Sequence, residues 1–457
     1  MVKHTCKRCG LNFKQLGHYN NHINRKNPCK DKADLIETLV ELKVKEEMKK
    51  LVPQFSSLSE TITKDLDKKH KRKNGIFFTP YNIIKKTSDI VFEYCKNNDI
   101  IVENILEPSC GSCEFIRYIH DKYSMKNIDG IEYDDNIYDS IKDINFSSEN
   151  NINLIHMDYL TYENDKKYDL IIGNPPYFVM KKDRVDKKYH DYFDGRPNIF
   201  IIFIIHSLFK LKDNGILSFV LPKSFCNCLY YNKLRVYINI NYTIVDIIDC
   251  SKEKYLETEQ DTVILILHNK KGDNSDYIYD NNGIILMNTI ININKIKELY
   301  KGSTTLKKLK FNVRVGNIVW NQCKDILTGN DKYTRLIYSS DIVEHNLSIT
   351  EYKNIQKKNY IKSDGIKNPI IVVNRGYGTG KYNFNYCIVD IDEEYLIENH
   401  LIIIEYKDKS DVDKLLKEYD KIKKSFENEK TKQFIELYCC NSAMNCTELH
   451  TVLPIYV

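Results

Sequence analysis

The chain has 457 residues, of which 68 are Lys or Arg and 63 are Asp or Glu, and its formal net charge at pH 7 is +5. This length allows a complete enzyme domain with accessory modules, whereas this charge is too small to indicate nucleic-acid binding by itself. The sequence has no run of about 18 apolar residues and no apolar signal core, so we expect no membrane segment and a cytoplasmic or nuclear protein that is not secreted. The 14 cysteines should then be reduced thiols, for which metal binding is a better explanation than disulfides where the spacing allows it.

Residues 1–30 carry a pattern of metal ligands. Two residues separate Cys6 from Cys9, twelve separate Cys9 from His22, and six separate His22 from Cys29. A segment of this size cannot bury a sufficient apolar core, and three thiolates with one imidazole would make a tetrahedral zinc shell instead. The pattern resembles the two-Cys two-His zinc finger family, with Cys in place of the last His. It predicts a small zinc finger that holds one structural Zn²⁺.

Residues 31–73 are predicted to be a helical, basic linker. Apolar residues recur there at helical spacing among many Lys and Glu. These residues are Leu35, Leu39, Leu42, Met48 and Leu51. The basic run Lys68–Lys73 closes the segment. Most such runs are simply solvated, but this one could also contact nucleic-acid phosphates or act as a nuclear import signal.

Residues 74–270 alternate short apolar runs with helical segments, a pattern that is typical of an α/β fold. Seven strands are predicted, enough for one doubly wound, Rossmann-like sheet. They are Ile105–Leu106, Ile128–Ile131, Leu154–Ile155, Leu170–Ile172, Ile216–Leu221, Thr243–Ile248 and Thr262–His268. The Gly-x-Gly-x-x-Gly fingerprint of nicotinamide and flavin enzymes is absent from the first turn, which disfavours dehydrogenase chemistry.

Acidic residues follow the first three predicted strands. Glu107, Glu132 and Asp158 each stand at a strand end, and Gly111 provides a turn after the first of them. Because ligands bind at the carboxyl edge of a parallel sheet, these residues should line a site for a nucleotide-type cofactor. The turn would let backbone amides approach the cofactor, and Glu132 could bind two ribose hydroxyls.

Two more motifs flank this set. Ahead of the first strand, "FFTP" makes Thr79 a predicted N-cap and Pro80 the first residue of a helix. After the fourth strand, the chain reads Asn174–Tyr177, "NPPY", where an amide and two prolines end an apolar run abruptly. A strand that ends this way is a candidate catalytic edge.

Taken in order, "FFTP", "EPSCG", "GIE", "HMD" and "NPPY" resemble the S-adenosylmethionine-dependent N6-adenine DNA methyltransferases of the γ arrangement. The resemblance covers residues 75–270 closely and the C-terminal third only loosely. It implies S-adenosylmethionine as cofactor and a specific sequence of double-stranded DNA as substrate. The cofactor-binding residues that it implies are Thr79, Glu107, Pro108, Gly111, Glu132, Asp158 and Asn174. Cys113 departs from the family, which usually has a small residue there, and should narrow the cofactor pocket or shift its backbone.

The same resemblance implies roles for the four residues of "NPPY". The Asn174 side-chain carbonyl and the Pro175 backbone carbonyl would accept the two amino hydrogens of adenine as the methyl donor approaches. Pro176 would stiffen the turn and Tyr177 would stack on the base. Because the amino group is paired inside a duplex, the base must rotate out of the stack, and Tyr231 is the first choice for the opposite aromatic wall. The other candidates for that wall are Tyr230 and Phe225.

Residues 271–457 are predicted to form a mixed α+β target-recognition domain, as the family resemblance implies. Trp320 and a Gly-rich loop with Arg375 and Lys381 are candidate contacts with DNA. We expect the protein to act on DNA as a monomer.

Several alternatives remain open at this stage. Asn-Pro-Pro-Tyr also serves planar amides in related enzymes, so methylation of protein glutamine or of RNA is possible in principle. An inactive DNA-binding homologue would keep the fold, with Cys113 as its main support. A nuclease site on Asp390, Glu405 and Lys407 is disfavoured, because such spacings are common in a chain with 29% charged residues.

Overall fold

We describe a computed structural model of the chain. It describes residues 4–25, 29, 53–125, 127–146, 151–350, 352, 354, 356–375, 382–439 and 444–457. Contacts between residues divide the chain into two compact units, Met1–Ser57 and Leu58–Val457. Within the described part of the chain, no helix has both the length and the apolar character needed to cross a bilayer.

The first unit begins with two short strands and a helix. β1 (His4–Thr5) and β2 (Asn12–Phe13) pair antiparallel, and α1 (Leu16–Ile23) follows them. The Phe13 ring lies 4.8 Å from the His22 ring, between centroids. None of the residues of α1, all of which the structure describes, is buried. Apolar burial therefore contributes little to the stability of this helix.

The second unit starts with short helices and continues into a large sheet. Its first helices are α2 (Ser57–Asp65), α3 (Lys68–Asn74), α4 (Tyr81–Asn97), α5 (Glu114–Tyr123), α6 (Asp135–Ile141), α7 (Ile199–Lys210) and α8 (Asn232–Asn241). The strands of the sheet are β3 (Asn104–Glu107), β4 (Asn127–Glu132), β5 (Asn151–His156), β6 (Tyr168–Gly173), β7 (Leu211–Pro222), β8 (Thr243–Asp249) and β9 (Thr262–His268). All seven predicted strands are confirmed.

The strand order in this sheet is β5-β4-β3-β6-β7-β9-β8. The pairs β3 with β4, β4 with β5, β3 with β6 and β6 with β7 are parallel, whereas β9 runs antiparallel to both of its neighbours. The order reverses between β3 and β6, which is the point where open α/β sheets bind their ligands. The mixed α/β architecture with a mainly parallel sheet is thus as predicted.

Successive residues of each strand point to opposite faces of the sheet. Both faces are covered by packed side chains. On one face, Leu106, Ile171 and Phe219 pack in the core cluster that includes α7. On the other face, Ile105 and Leu170 pack with residues of α4 and α5. Strands covered on both sides need continuous apolar runs, which explains why they could be located from the sequence.

The remainder of the second unit mixes strands and helices. Its strands are β10 (Ile278–Asn281), β11 (Ile284–Met287), β12 (Phe311–Val315), β13 (Leu327–Thr328), β14 (Thr334–Ile337), β15 (Ile342–Val343), β16 (Asn346–Leu347), β17 (Tyr360–Ile361), β18 (Ile370–Asn374), β19 (Tyr386–Val389), β20 (Tyr395–Ile397) and β21 (Leu401–Tyr406). Its helices are α9 (Ile290–Tyr300), α10 (Val412–Glu427), α11 (Glu429–Cys439) and α12 (Cys446–Thr451). Two four-stranded sheets have the orders β12-β21-β18-β19 and β13-β17-β14-β20.

The predicted domain boundaries at residues 74 and 270 remain predictions. Ile278, Ile285 and Met287, from the β10–β11 hairpin, pack in the same core cluster as the large sheet. Residues 58–73, predicted as linker, belong to the second unit and are mostly helical. The helical segment predicted for residues 31–52 and the candidate DNA contact Lys381 lie outside the described residues.

One local prediction is wrong. Thr79 was expected to cap the helix that Pro80 begins, but α4 begins at Tyr81 and Pro80 occupies the N-cap position. The Thr79 hydroxyl oxygen instead accepts a hydrogen bond from the side-chain amide of Asn174, at 3.0 Å. Thr79, which the family resemblance also implies as a cofactor-binding residue, therefore contacts Asn174 instead of capping α4.

Candidate functional site

The polar ends of β3 and β6 meet where the strand order reverses. The Ser109 hydroxyl donates a hydrogen bond to the backbone carbonyl of Asn174, at 3.1 Å. Gly173 lies so near the first acidic residue that an added Cβ would be 3.4 Å from Cγ of Glu107. The motifs that carry Glu107 and Asn174 are far apart in the sequence, and the fold brings them to one crevice.

The side-chain amide of Asn174 has a defined orientation. Its Nδ2 group donates hydrogen bonds to Oγ1 of Thr79, at 3.0 Å, and to the backbone carbonyl of Phe77, at 3.3 Å. Its Oδ1 atom accepts from the Tyr177 hydroxyl at 2.7 Å. Because both nitrogen contacts are acceptors, the amide carbonyl must point away from the segment that leads into α4. The carbonyl oxygen is thereby held toward the side of Tyr177.

The Tyr177 hydroxyl lies between two acceptors. It is 2.7 Å from Oδ1 of Asn174 and 2.8 Å from the backbone carbonyl of Val220. A hydroxyl has one hydrogen and can donate to only one of them at a time. The Tyr177 ring meets the Phe200 ring edge-on, with centroids 5.8 Å apart, and burial raises the pKa of Tyr177 well above its ordinary value. Tyr177 is therefore a neutral side chain with a fixed ring.

A cavity of about 100 Å³ opens beside these residues. Asn174, Pro175 and Tyr177 line it. Tyr255 and Gln260, from the loop between β8 and β9, line it as well. Sequence reasoning missed this loop. The available signal was an aromatic in a polar segment directly before the last strand of the sheet.

Tyr231 is not among the residues that line this cavity, and its role as the opposite wall stays a prediction. Its ring packs against Phe200, with centroids 5.1 Å apart, and against Phe225 at 6.4 Å. The segment is held there by buried Arg235, which donates a hydrogen bond to the backbone carbonyl of Phe225 at 2.8 Å. The aromatic residues that line the cavity together with Tyr177 are Phe77 and Tyr255.

Glu107 and Glu132 both lie at the carboxyl edge, but their carboxyl oxygens differ in the hydrogen bonds that they accept. Oε2 of Glu132 accepts from the backbone N–H of Gly111 at 2.9 Å, and Oε1 accepts from that of Asp134 at 2.8 Å. Oε2 of Glu107 is buried and has no hydrogen-bond partner among the residues that the structure describes. Burial raises the pKa of Glu107 well above its ordinary value and also raises that of Glu132. An unpartnered buried carboxylate suits a ligand that brings a cation or hydrogen-bond donors, as S-adenosylmethionine does.

The other predicted cofactor residues surround this pair. Pro108 is buried at the start of the turn, and Gly111 packs so closely on Phe78 that an added Cβ would be 3.3 Å from its ring. Oδ1 of Asp158 accepts from the backbone N–H of Leu160 at 2.9 Å and caps the turn after β5. The backbone links the two strand ends, because the N–H of Met157 donates to the carbonyl of Glu132 at 3.0 Å. The fold thus gathers the predicted residues at one edge of the sheet.

Cys113 adopts a glycine-like backbone conformation. Its φ is +64°, in the left-handed region, and its side chain is fully buried in the core cluster with Cys110 and Phe115. A non-glycine residue in this region costs about 1–2 kcal/mol. The departure from the family pattern is thus accommodated in the core at the cost of backbone strain.

We expect Cys113→Gly to change the free energy of unfolding by less than about 1 kcal/mol, because the relief of strain offsets the loss of a buried thiol. The affinity for S-adenosylmethionine should stay within about threefold. Cys110→Gly is the matched control, since Cys110 is buried without a positive φ, and it should destabilise the protein by about 1 kcal/mol or more. Thermal unfolding and titration calorimetry measure both quantities. A tenfold change in affinity for Cys113→Gly would instead place this side chain at the cofactor.

The first unit contains a separate cluster of potential metal ligands. One ligand atom from each of Cys6, Cys9, His22 and Cys29 lies within 4.8 Å of all the others. The sulfurs of Cys6 and Cys29 are 3.7 Å apart, and the Cys9 sulfur is 3.3 Å from Nε2 of His22. Tetrahedral zinc with Zn–S bonds of about 2.3 Å would place two sulfurs about 3.8 Å apart. The four predicted ligands are brought together at distances that fit one zinc ion.

The sequence of this chain is similar to those of known DNA-modification methylases. A family model described as Eco57I restriction-modification methylase matches residues 63–256. The type II methyltransferase M.CvrRI of Paramecium bursaria Chlorella virus XZ-6E is 30% identical over 396 residues, which cover 84% of this chain and 95% of the relative. The modification methylase CviBIII of Paramecium bursaria Chlorella virus NC1A is 25% identical over 370 residues, covering 78% and 89%.

A solved structure is also similar in part. It is the methyltransferase subunit of the type I restriction-modification system from Streptococcus thermophilus, with 20% identity and a TM-score of 0.36. The similarity covers 50% of this chain and 54% of that one.

The similarity to M.CvrRI extends over nearly the whole of that protein, and the matched family segment contains both Glu107 and Asn174. The chain therefore belongs to the Eco57I restriction-modification methylase family and is an S-adenosylmethionine-dependent DNA methyltransferase.

Proposed function

We propose that this enzyme methylates the exocyclic N6 amino group of adenine in a specific sequence of double-stranded DNA. The observation that carries the proposal is that Asn174 and Pro175 both line the cavity, which would bring one amide carbonyl and one backbone carbonyl within reach of the same ligand. An exocyclic amino group has two hydrogens to donate, and this pair of acceptors matches it.

The chain's own residues would prepare the amino nitrogen for attack. Hydrogen bonds from the amino group to Asn174 and Pro175 would localise the nitrogen lone pair, which is otherwise delocalised into the ring. The Tyr177 hydroxyl has an alternative acceptor in Val220, so it can leave Oδ1 of Asn174 to the base without losing its own hydrogen bond. Thr79 and Phe77 would keep the amide oriented during the exchange.

S-adenosylmethionine, when bound, supplies the methyl group as a sulfonium. Its chemistry there would be transfer of that methyl to the amino nitrogen, with the carbon–sulfur electrons left on sulfur and the surplus amino proton passing to water. Glu107, with its unpartnered buried oxygen, would hold a donor group of the cofactor, and Glu132 and Asp158 would bind it from the adjacent strand ends.

The experiment is a transfer assay with labelled S-adenosylmethionine and duplex DNA, RNA or protein as acceptor, followed by mass analysis of the digested acceptor. The expected product is N6-methyladenine in duplex DNA. Label on cytosine, or only on RNA or on protein glutamine, would overturn the proposed substrate. No transfer to any acceptor by protein that binds both DNA and cofactor would indicate an inactive homologue.

The same proposal assigns the far wall of the base site to Tyr255. We expect Tyr255→Ala to weaken binding of target DNA by about 1–3 kcal/mol through lost stacking. Tyr231→Ala is the matched control and should lower stability without a specific loss of target binding, because Tyr231 packs on Phe200 and Phe225. Fluorescence of 2-aminopurine at the target position reports the rotated base. A larger loss of target binding for Tyr231→Ala than for Tyr255→Ala would instead assign the far wall to Tyr231.

For the first unit, we propose a structural zinc finger that holds one Zn²⁺ on Cys6, Cys9, His22 and Cys29. The support is the set of ligand distances together with the absence of buried residues in the described helix α1. We also propose that this finger adds affinity for DNA or contacts a partner.

A further inference from the structure

The short helix α3, residues Lys68–Asn74, has an inner face that is paired with the catalytic region. His70 contacts Asp134, two residues beyond Glu132, through Nε2 and Oδ2 at 2.5 Å. Nζ of Lys71, whose side chain is 4% exposed, lies 2.8 Å from a carboxylate oxygen of Glu257. Glu257 belongs to the loop that carries Tyr255. The inner basic side chains of the run, His70 and Lys71, therefore each have an acidic partner in the same unit.

The outer face of α3 carries cations of a different kind. At about 100° per residue, Lys68 and Arg72 lie on one side of the helix, Lys69 and Lys73 lie beside them, and His70 and Lys71 lie opposite. The four outer side chains are all exposed, and none of them makes an ion pair with a residue that the structure describes. We define Lys68, Lys69, Arg72 and Lys73 as the outer basic face.

The helix ends at the catalytic turn. Gly75 caps α3 in the left-handed conformation, with φ +66°. A Cβ added there would lie 2.6 Å from the backbone nitrogen of Tyr177, so the helix end and the "NPPY" turn are in direct contact. Gly75 also lines the cavity beside Asn174. With a rise of about 1.5 Å per residue, Arg72 and Lys73 lie within about 5 Å of the cavity margin along the helix axis.

A nucleotide that rotates out of the DNA stack stays covalently attached to the phosphates on both sides of it. Wherever the base enters the cavity, those phosphates must remain near the mouth. Exposed cations without an ion-pair partner among the described residues, on the helix that ends at Gly75 beside the cavity, match this requirement in charge. We propose that the outer basic face of α3 binds the backbone phosphates that flank the rotated base. The inference rests on the proposed DNA substrate, and it adds the surface that binds the phosphates of the target strand.

The test compares two triple variants that each remove three positive charges. The first is Lys68→Gln, Lys69→Gln and Lys73→Gln on the outer basic face. The control is Lys96→Gln, Lys270→Gln and Lys271→Gln, which are exposed near the end of α4 and just beyond β9, at the opposite edge of the sheet. Binding of duplex DNA is measured from low to moderate salt with S-adenosylhomocysteine present. Cofactor affinity and the melting temperature verify that each variant is folded.

For the first triple variant, we expect the slope of log DNA affinity against log salt concentration to become shallower by about 2 to 3. Each phosphate contact contributes about 0.9 to the magnitude of that slope. Affinity for target and unrelated duplexes should fall by similar factors, because phosphates carry no sequence information. The control should keep the original salt dependence. Equal slopes for the two variants, or a loss confined to the target sequence, would overturn the inference. Both readouts are binding measurements, so a failure to find N6-methyladenine would remove the proposed reaction without deciding this surface.

Discussion

Replacing Asn174 with alanine is expected to reduce the methyl-transfer rate by about 10²–10³-fold, the range seen when one preorganised polar group is removed from an active site. The loss should appear mainly in kcat, because the amide carbonyl acts on the amino nitrogen as the transition state forms. Removing it leaves Pro175 as a single acceptor for two hydrogens. Single-turnover assays with saturating DNA and cofactor measure the chemical step directly.

Asn174→Asp refines the same prediction. It keeps an acceptor oxygen but replaces the nitrogen that donates to Thr79 and to the Phe77 carbonyl with a second oxygen. Two acceptors would then face each other, so the side chain should rotate and activity should fall to a level between wild type and Asn174→Ala. Asn104→Ala, at the start of β3 and far from the carboxyl edge, is the control and should retain activity. Full activity in Asn174→Ala would remove Asn174 from the catalytic role.

Much of this site could be predicted because its residues stand directly after strands. Strands such as β4 and β6 are buried on both faces, so their apolar runs end sharply at the carboxyl edge. Glu132 and Asn174 follow such runs, and parallel pairing brings strand ends together regardless of their distance in sequence. This is why the fold and the cofactor edge could be anticipated residue by residue.

The far wall of the cavity could not be predicted in the same way. Tyr255 reaches the carboxyl edge because β9 inserts antiparallel between β7 and β8, so the loop that joins β8 to β9 lies over Asn174. The apolar pattern of a buried strand carries no information about its direction. Tyr231 follows a strand end as well, but buried Arg235 ties its segment to the backbone carbonyl of Ile285, a tertiary contact with no local signal.

The two faces of α3 illustrate a second limit. The run Lys68–Lys73 is uniformly basic as a sequence, and its charge alone cannot distinguish a solvated helix from a functional one. The distinction comes from Asp134 and Glu257, which are remote in sequence and select His70 and Lys71 as inner residues. Because His70 and Lys71 face these acidic partners, the four remaining basic side chains lie on the outer face of α3.

Removal of the metal should have the other large effect, and it should be confined to the first unit. We expect one zinc per chain, and we expect a chelator or His22→Ala to unfold residues 4–25. Structural zinc contributes about 10–16 kcal/mol of binding free energy in small fingers, far more than the few half-buried side chains around Phe13 could replace. Metal analysis and tryptic cleavage within this segment measure the two consequences.

His18→Ala is the matched control, since His18 lies on the same helix but outside the ligand cluster. It should keep the zinc and the resistance to cleavage. Cofactor binding should survive zinc removal, because Glu107, Glu132 and Asn174 all belong to the second compact unit. A chain that loses its zinc and yet keeps the finger resistant to cleavage would show that the cluster is not the source of its stability. A loss of cofactor binding on chelation would show instead that the two units are energetically coupled.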